Sequence, residues 1–509
     1  MANLASVIEP HPGDAVALVA GDAVVTYGQL RSDVAQLRGG LAASGVGVGD
    51  RVALVLPNGL PFVVAYLAVL GVGAVAVPLN PLSPATELQR ELAIVRPKVV
   101  VTDSVAASAV AGVDREAAGI EVVVDASGGS KGPTDTVALA ALHDPSGGAP
   151  DAVPIVERAA DDLAALVFTS GTAGAPRAAM LSHGNLLANI EQLRTADPAL
   201  GPGDVSLGVV PPFHIYGLNV VLGVSLATGG SVVLLDRFDP VEVLSAIRQH
   251  EVTVAVGAPT MWADLAAASN AAPDAVGCVR LAASGAAPLS AEVRDAVRDT
   301  LGLDLIQGYG LTEAGPAVTS GLGIDAPPAS VGRPLPGVSV RLVDPAAGDD
   351  VLVDDPGEVW VQGPNVFLGY WDDPEATATA LTPDRWLRTG DVAIVDDDGF
   401  VHLVDRAKDL IIVSGFNVFP AEVEEVLAAH PAVKEAAVVG HPDPRTGESI
   451  TAYVVPVTGQ AIDTEALLTH CAHHLARYKY PASATSIEVV PTLPHNLTGK
   501  ILRRALPEA

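Results

Sequence analysis

The segment "TSGTAGAPRAAMLSHGN", Thr169–Asn185, follows the apolar run "LAALVF" and combines hydroxyl side chains with glycines. Gly171 and Gly174 would allow backbone N–H groups to turn toward an anion, and Arg177 would supply a cation. The segment is not a Walker A motif, because Gly174 is followed by Ala-Pro-Arg instead of Lys and a hydroxyl residue. By itself it predicts either a phosphate-binding loop or a surface loop between a strand and the helix of "SHGNLLANIEQL".

The order of apolar segments predicts the fold class. Runs such as "RVALVLP", "VVVTD" and "SVVLLD" alternate with amphipathic stretches over roughly the first 320 residues, which is typical of an α/β fold with largely parallel sheets. From about residue 330 to 404, short strands and Gly, Pro and Asp turns predict a small antiparallel sheet or barrel. We expect a large N-terminal domain of residues 1–404, with parallel or mixed sheets, helices and this β-barrel-like subdomain. A small α+β C-terminal domain of residues 405–509 would follow, with a helix beginning at Pro420.

The composition restricts the classes of partner. The chain has 509 residues, 49% of them hydrophobic, and a net charge of −30. Such an acidic chain repels nucleic acid and anionic membranes, so neither is expected as a partner. The stretch "PFVVAYLAVLGVGAVAVPLNP" is interrupted by Gly71, Gly73 and Pro78, which favours a buried helix and strand over a transmembrane segment. Cys278 and Cys471 fit no disulfide or zinc spacing, and without a recognisable signal peptide we expect a cytoplasmic protein.

Two other patterns are weak candidates for chemistry. Residues 128–132, "GGSKG", match the G-x-S-x-G nucleophile motif, but no helix follows directly, as that motif requires. The histidines of residues 470–474, "HCAHH", are spaced to ligate zinc from one helix face. Without a carboxylate or a second arm, a solvated helix face is the interpretation that we favour.

Four segments further along the chain change the interpretation of the loop at Thr169–Arg177. They are "QGYGLTEAG" with Tyr309, Thr312 and Glu313, "RTGDVA" with Asp391, "DRAKDLIIVSGFNVFPAEVE" with Arg406, Lys408 and Gly415, and "PHNLTGKILRR" with Lys500. Together with the loop, in this order and at these separations, they resemble the adenylate-forming (AMP-binding) superfamily over nearly the whole chain. The wording "SGFNVFPAEVE" is most similar to fatty acyl-CoA synthetases. The resemblance implies an acid–thiol ligase, an AMP-forming acyl-CoA synthetase that uses ATP, Mg²⁺ and coenzyme A.

The resemblance also implies a reaction in two steps. A substrate carboxylate attacks the α-phosphate of ATP and releases pyrophosphate, and a thiol then displaces AMP from the acyl-adenylate. The first step brings negative groups together, so positioning and electrostatics must provide the catalysis. A mobile C-terminal domain would rotate between the steps about a hinge at Asp405 and Lys408.

A set of residues is assigned to the nucleotide by the same resemblance. The loop would hold the β- and γ-phosphates, Tyr309 would stack on adenine beside "SGAAP", and Asp391 would accept hydrogen bonds from the ribose hydroxyls. Arg406 would reach the nucleotide from the domain boundary. The full set is Thr169, Ser170, Gly171, Thr172, Gly174, Arg177, Gly285, Ala286, Tyr309, Gly310, Thr312, Asp391 and Arg406.

The resemblance also implies roles for two further side chains, one that binds the metal ion and one that stabilises the charge of the transition state. Glu313 would bind Mg²⁺, with Thr172 as a second ligand. Lys500 would place its ammonium between the carboxylate and the α-phosphate, where transition-state charge develops. The chain contains six lysines, and two of them, Lys408 and Lys500, lie in these motifs. This favours specific roles over coincidence, because a lysine point charge is not interchangeable with a guanidinium.

The acid and thiol subsites complete the expected site. His214 in "PPFHIYGL" stands where the family has a gate beside the carboxylate pocket, and it is a further catalytic candidate. The pocket would be formed by Ile215, Gly217, Val256, Gly257 and Gly308, and the coenzyme A contacts by Ser414, Gly415 and Phe416. No Asp in this region is available to pair an α-ammonium, which disfavours an amino-acid substrate. The small and aliphatic pocket residues would leave an apolar channel. Together with the resemblance to fatty acyl-CoA synthetases, this leads us to expect a medium- or long-chain fatty acid.

Several alternatives stay open from the sequence. An aryl or other small acid is the closest alternative substrate, and a carrier protein could replace coenzyme A. A nucleotide-binding protein without turnover is a different class, which the complete set of motif residues disfavours. The substrates would be small molecules, and we also consider a homodimer. The loop departs from the usual T-S-G-T-T-G-x-P-K-G of the family at Ala173, Arg177 and Ala178.

Overall fold

A computed structural model gives the architecture. It describes residues 3–127, 137–138, 153–169, 176–269, 276–344, 348–353, 355–406, 411–413, 416–418, 420–443, 447–475, 477–495 and 501–506. The chain divides into two compact units. The large unit comprises Met1–Ala326, Pro334–Ser339 and Val361–Leu387, and the small unit comprises Pro327–Arg333, Val340–Trp360 and Arg388–Ala509.

A nine-stranded sheet combines two strands from the start of the chain with strands between residues 205 and 334. Its strands lie in the order Arg333–Pro334, Ala317–Ser320, Leu305–Gly310, Leu281–Ser284, Val254–Gly257, Val205–Gly208, Ser231–Leu234, Val16–Ala20 and Ala23–Thr26. The six strands from Leu305–Gly310 to Val16–Ala20 are parallel to one another. Their short, Val- and Ala-rich runs suit a sheet covered by helices on both faces.

An eight-stranded sheet forms the other half of the large unit. Its strands lie in the order Gly369–Tyr370, Arg177–Ser182, Leu163–Thr169, Val75–Pro78, Arg51–Val55, Val99–Thr102, Val122–Asp125 and Val137–Ala138. The last six are parallel, and the first two are antiparallel additions at one edge. The segment Thr169–Asn185 therefore begins in one strand and continues into the antiparallel strand beside it, because Thr169 pairs with Arg177.

Helices and short helical turns connect these strands. The α-helices of the large unit are Tyr27–Ala43, Leu60–Gly71, Ala85–Val95, Ala107–Ala111, Arg115–Ala118, His183–Ala196, Val224–Thr228, Pro240–Gln249, Pro259–Ala268, Ala291–Leu301 and Pro374–Ala380. Leu4–Ile8 and Thr312–Ala314 are 3₁₀ turns, and Tyr216–Gly223 is a π-helix. The helix Leu60–Gly71 and the strand Val75–Pro78 are buried, as the sequence predicts. Within the described residues, no helix has the length and apolar character needed to span a membrane.

The helix His183–Ala196 begins at a capping box that its own sequence provides. Ser182 Oγ accepts the Asn185 N–H at 3.0 Å, and Asn185 Oδ1 accepts the Ser182 N–H at 3.0 Å. This reciprocal pair satisfies two backbone donors at the start of His183–Ala196. The chain therefore passes from the strand Arg177–Ser182 into a helix without an intervening loop.

The described residues of the small unit form two sheets and two α-helices. One sheet has four strands, in the order Ser339–Val343, Gly357–Gln362, Leu387–Val395 and Val401–Arg406. The other has five, Phe416–Val418, Ile411–Val413, Gly447–Pro456 and Val433–Asp443, with Ile487–Val489 beside Gly447–Pro456. The helices Pro420–Ala428 and Thr464–His474 share an apolar core with the five-stranded sheet, and the short 3₁₀ turns are Arg477–Lys479, Ala484–Ser486 and Arg503–Ala505.

The expected α/β class, with large sheets and a small C-terminal region of antiparallel strands, is confirmed. The helix beginning at Pro420 is present as predicted. The compact units place the four-stranded sheet with the C-terminal residues. A functional boundary near Asp405 stays a prediction.

His183 is a fully buried histidine at the start of the capped helix. Its Nδ1 accepts the Leu4 N–H at 3.1 Å, and its Nε2 has no partner among the described residues. Burial, with the nearby charge of Arg158, lowers the pKa of His183 from 6.5 to about 4. The folded state therefore requires the neutral ring, and protonation favours unfolding.

We expect folding stability to depend on His183 between pH 6.5 and pH 4. The folded pKa lies below the unfolded one, so the contribution is full above pH 6.5 and is lost as the pH falls. Between pH 7.5 and pH 5 this loss is about 2 kcal/mol. Denaturant unfolding at both pH values measures it.

The variant for this test is His183→Asn, with His473→Asn on the exposed side of another helix as the control. The His183 variant should be less stable overall but should lose about 2 kcal/mol less on acidification than the wild type. An identical pH dependence in the wild type and the His183 variant would rule out the assignment.

Candidate active site

Three parallel strands of the large unit end side by side. Gly257 is in register with Ser284, and Ser284 is in register with Gln307. This brings the "SGAAP" and "QGYG" segments together, although the helices Pro259–Ala268 and Ala291–Leu301 come between these strands in the sequence. The carboxyl ends of parallel strands are where open α/β sheets bind ligands, so the register supports a site at this edge.

A tyrosine from the π-helix packs at this edge against Gly285. A Cβ on Gly285 would lie 3.1 Å from Tyr216 Cζ and Oη, so a larger residue would displace the ring. Gly217 is also required, because a Cβ there would overlap the carbonyl oxygens of Val210 and Pro211. The glycines at 217 and 285 thus permit the close approach of Tyr216, which the sequence analysis missed.

His214 lies just before this π-helix, separated from it by Ile215. Its Nδ1 accepts the Tyr216 N–H at 3.2 Å, which leaves the ring proton of the neutral form on Nε2. Burial lowers the pKa of His214. The imidazole is therefore neutral near pH 7 and can donate one hydrogen bond from Nε2.

A tight turn presents Glu313 beyond the strand Leu305–Gly310. The Leu311 N–H donates to the Pro316 carbonyl at 3.0 Å, and the 3₁₀ turn Thr312–Ala314 lies between them. A Cβ on Gly310 would overlap the Pro316 carbonyl, so the turn requires glycine there. The Glu313 carbonyl accepts the Phe367 N–H at 2.8 Å, which ties the turn to a second segment of the chain.

The side chain of Glu313 meets Tyr370 from that second segment. Tyr370 Oη donates to Glu313 Oε1 at 2.7 Å. Burial, together with the neighbouring Glu313 carboxylate, raises the pKa of Tyr370, so its hydroxyl remains a donor. Arg177 Cζ lies 5.6 Å from the centre of the Tyr370 ring, and Arg177 Nε lies 3.3 Å from Asp373 Oδ2. Tyr370 therefore contacts both Arg177 and Glu313, the proposed metal ligand.

The donor set is compatible with a magnesium ion held mainly by phosphates. Within the described part of the chain, no group of three or more His, Cys, Asp or Glu side chains could hold a metal without other ligands. Magnesium in nucleotide sites is usually bound by one or two carboxylates together with phosphate oxygens and water. Glu313, held in place by Tyr370, fits that arrangement.

Family models match nearly all of the chain. The AMP-binding enzyme model matches residues 4–371, and the AMP-binding enzyme C-terminal domain model matches residues 422–500. The chain belongs to the AMP-binding enzyme family.

Named relatives extend this assignment over almost the full length. A feruloyl-CoA synthase from Amycolatopsis sp is 39% identical, over 97% of this chain and 95% of the relative. A 4-coumarate–CoA ligase from Oryza sativa subsp. japonica is 34% identical, over 95% and 89% respectively. A long-chain-fatty-acid–CoA ligase from Bacillus subtilis is also 34% identical, over 95% and 90%.

The solved structures agree with the sequence relatives. ATP-bound MatB from Rhodopseudomonas palustris superimposes with a TM-score of 0.89 at 34% identity, over 99% of this chain and 97% of that structure. This AMP-binding enzyme is therefore an ATP-dependent CoA ligase, with ATP and coenzyme A as co-substrates, which confirms that part of the sequence analysis. The Mg²⁺ expected with ATP is standard for the family.

In this AMP-binding enzyme, other predicted site residues have the following positions. Tyr309 is buried in register with Thr319, and Ala286 is exposed just after Gly285 with a positive φ of 69°. In the small unit, Asp391 is buried and lies in register with Arg406 on the neighbouring strand. Their roles at the nucleotide stay predictions.

The five residues of the predicted acid pocket have the following positions. Gly257 is the last residue of its strand, Gly308 lies within the strand Leu305–Gly310, Ile215 and Val256 are buried, and Gly217 lies in the π-helix. Lining of a pocket by these residues stays a prediction. Several predicted residues lie outside the described ones: Ser170, Gly171, Thr172, Gly174, Lys408, Ser414, Gly415 and Lys500. Of the coenzyme A set, Phe416 has a described backbone, in the strand Phe416–Val418.

Two functional candidates were missed because their segment was not considered. Tyr370 and Asp373 belong to "GYWDDP", residues 369–374, between the "LTEAG" and "RTGD" segments. A Gly-Tyr pair followed by an Asp-Pro helix start is a visible signal in the sequence. Its connection to Arg177 arises only from sheet pairing, since Tyr370 lies opposite Ala179.

We expect Arg177→Ala to raise the KM for ATP with a smaller loss in kcat, because Arg177 would bind phosphates in the ground state and the transition state alike. A lost charge-assisted hydrogen bond corresponds to roughly 10- to 100-fold in KM. Steady-state kinetics with varied ATP measures the change. Arg194→Ala, which removes the exposed pair with Glu191, is the control. Unchanged ATP kinetics for the Arg177 variant would remove this residue from the site.

Proposed function

We propose that the chain activates an aromatic carboxylic acid of the hydroxycinnamate type and transfers it to coenzyme A. The observation that carries this proposal is the 39% identity to a feruloyl-CoA synthase over 97% of the chain. The 34% identity to a 4-coumarate–CoA ligase supports the same class of acid. An aryl acid was the closest alternative to the fatty acid that the pocket composition first suggested.

A rigid ring at the strand ends also supports a planar acid. The Tyr216 ring lies against Gly285 at this edge. Trp262 is buried in the core of the same sheet, where its Nε1 donates to the Ala283 carbonyl at 3.1 Å. A ring in a fixed position favours offset or edge contacts with an aromatic ligand, whereas a fatty chain gains no such geometry.

A fatty acid is the second candidate. It is favoured by the 34% identity to a long-chain-fatty-acid–CoA ligase over 95% of the chain. The small residues Gly217, Gly257 and Gly308 also suit an apolar channel. The two candidates differ in substrate and share the same chemistry.

The first half-reaction would form an oxygen–phosphorus bond and break another. A carboxylate oxygen attacks the α-phosphorus of ATP, and the bond to the bridging oxygen of pyrophosphate breaks. Arg177 and its loop would hold the β- and γ-phosphates, and Glu313 would hold Mg²⁺, which neutralises phosphate charge. Lys500 would stabilise the charge that develops at the α-phosphate. His214, neutral with its proton on Nε2, would donate a hydrogen bond beside the carboxylate.

The second half-reaction would exchange AMP for the thiol. The sulfur of coenzyme A attacks the acyl carbon, AMP leaves with the bonding electron pair, and the thiol proton passes to solvent. Asp391 would keep the ribose in place through its hydroxyls. Movement of the C-terminal residues about Asp405 and Lys408 would separate the two steps in time.

A panel of acids tests the proposed substrate. Full-length protein with ATP and Mg²⁺ is given ferulate, 4-coumarate, octanoate or palmitate, with and without coenzyme A. Pyrophosphate release and the mass of the thioester are measured. We expect kcat/KM for the two hydroxycinnamates to exceed that for either fatty acid by at least about tenfold, a difference of about 1.4 kcal/mol.

Each other result of the panel identifies an alternative. Higher kcat/KM with palmitate or octanoate would contradict an aromatic substrate. Pyrophosphate release without any thioester on coenzyme A would indicate a carrier protein as the acceptor. Release with none of the acids would support the non-catalytic alternative.

A further inference from the structure

We propose that Tyr370 is a positioning residue for adenylation, which orients the Glu313 carboxylate toward the metal–nucleotide complex and supports Arg177 on its ring. The inference rests on the proposed role of Glu313 as a magnesium ligand. It assigns a role to residues 367–373, a segment that lies outside the sequence motifs on which the family resemblance was based.

The hydrogen bond to Glu313 restricts one carboxylate oxygen. Tyr370 Oη donates to Glu313 Oε1 at 2.7 Å. A carboxylate that accepts a fixed hydrogen bond on one oxygen loses rotational freedom. Such outer-shell partners of metal ligands typically change metal affinity by about 10- to 100-fold when they are removed.

The backbone of the same segment holds the other end of Glu313. The Phe367 N–H donates to the Glu313 carbonyl at 2.8 Å, and the Phe367 side chain is fully buried. The rings of Phe367 and Tyr370 meet edge to face, with centroids 5.0 Å apart. The main chain and the side chain of Glu313 are therefore both fixed by residues 367–370.

Sheet pairing and a neighbouring helix hold Tyr370 itself. The strand Gly369–Tyr370 pairs with Arg177–Ser182, and the Tyr370 N–H donates to Thr377 Oγ1 at 2.9 Å. Gly369 has a φ of 137°, and a Cβ there would lie 2.5 Å from Thr377 Cγ2. The tyrosine is thus presented by a turn that requires glycine.

Arg177 is held on the other side of the tyrosine. Its guanidinium carbon lies 5.6 Å from the ring centre, and its Nε pairs with Asp373 Oδ2 at 3.3 Å. Asp373 Oδ1 accepts the Ala376 N–H at 2.8 Å and caps the helix Pro374–Ala380, so this carboxylate is fixed too. Two carboxylates and one guanidinium around a neutral tyrosine leave a net negative charge, which favours a divalent cation.

The test is a binding experiment without turnover. Full-length wild type, Tyr370→Phe, Glu313→Gln and the double variant are titrated with α,β-methylene-ATP by calorimetry. Each titration is made in EDTA and at increasing Mg²⁺ concentrations. Tyr27→Phe is the matched control, because Tyr27 also loses a buried bond, in which its Oη donates to the Gly230 carbonyl at 2.7 Å.

We expect Tyr370→Phe to raise the Mg²⁺ concentration needed for tight nucleotide binding by about tenfold. The Kd measured in EDTA should stay within about twofold, because the ring that supports Arg177 is retained. In the Glu313→Gln background, Tyr370→Phe should add no further change, since both variants act on the same ligand. Tyr27→Phe should leave both quantities unchanged.

Three results would overturn the inference. Equal weakening in EDTA and in Mg²⁺ would show that Tyr370 acts only through the general structure. A strong effect of Glu313→Gln with none of Tyr370→Phe would leave Glu313 as the ligand and remove Tyr370. No effect of Glu313→Gln on the Mg²⁺ dependence would instead contradict the proposed metal ligand, and with it the role of Tyr370.

Discussion

The register of the parallel strands in the nine-stranded sheet determines which segments of the large unit lie side by side at its edge. Gly257, Ser284 and Gln307 lie in adjacent register positions, so the chain leaves each strand at the same edge. Every residue argued to touch the acid or adenine in this unit follows one of these strands or packs against them. A shift of one residue in any pair would direct the following segment to the opposite face.

A second constraint comes from the edge of the eight-stranded sheet. The antiparallel strands Leu163–Thr169, Arg177–Ser182 and Gly369–Tyr370 place the base of the loop beside Tyr370. Through Tyr370 and Phe367, this edge is connected to the turn that carries Glu313. The base of the proposed phosphate loop, at Arg177, and Glu313, the proposed metal ligand, thus belong to one connected unit, although more than a hundred residues separate them in the sequence. The arginine at 177 suits this arrangement, because a guanidinium can pair with Asp373 through Nε while its plane approaches an aromatic ring.

Much of the fold could be predicted from the sequence, because local signals agree with it. The alternation of Val-rich runs with amphipathic stretches indicated parallel sheets, and "LSHGN" contains the residues of the observed capping box. The π-helix at Tyr216–Gly223 could not be predicted, since "YGLNVVLG" reads as an ordinary apolar helix. The contact of Tyr370 with Glu313 was equally inaccessible, because it depends on which strand adds to the sheet edge. Motif order identified the family, whereas these motifs do not specify the acid.

A crystal structure of the full chain with Mg²⁺ and α,β-methylene-ATP would show whether Tyr370 orients Glu313 toward the metal. We expect a magnesium ion at about 2.1 Å from a carboxylate oxygen of Glu313. Tyr370 Oη should remain hydrogen-bonded to the other oxygen of that carboxylate. A magnesium ion bound to the phosphates without contact to Glu313, or a Glu313 carboxylate that has left Tyr370 to reach the metal, would contradict this expectation.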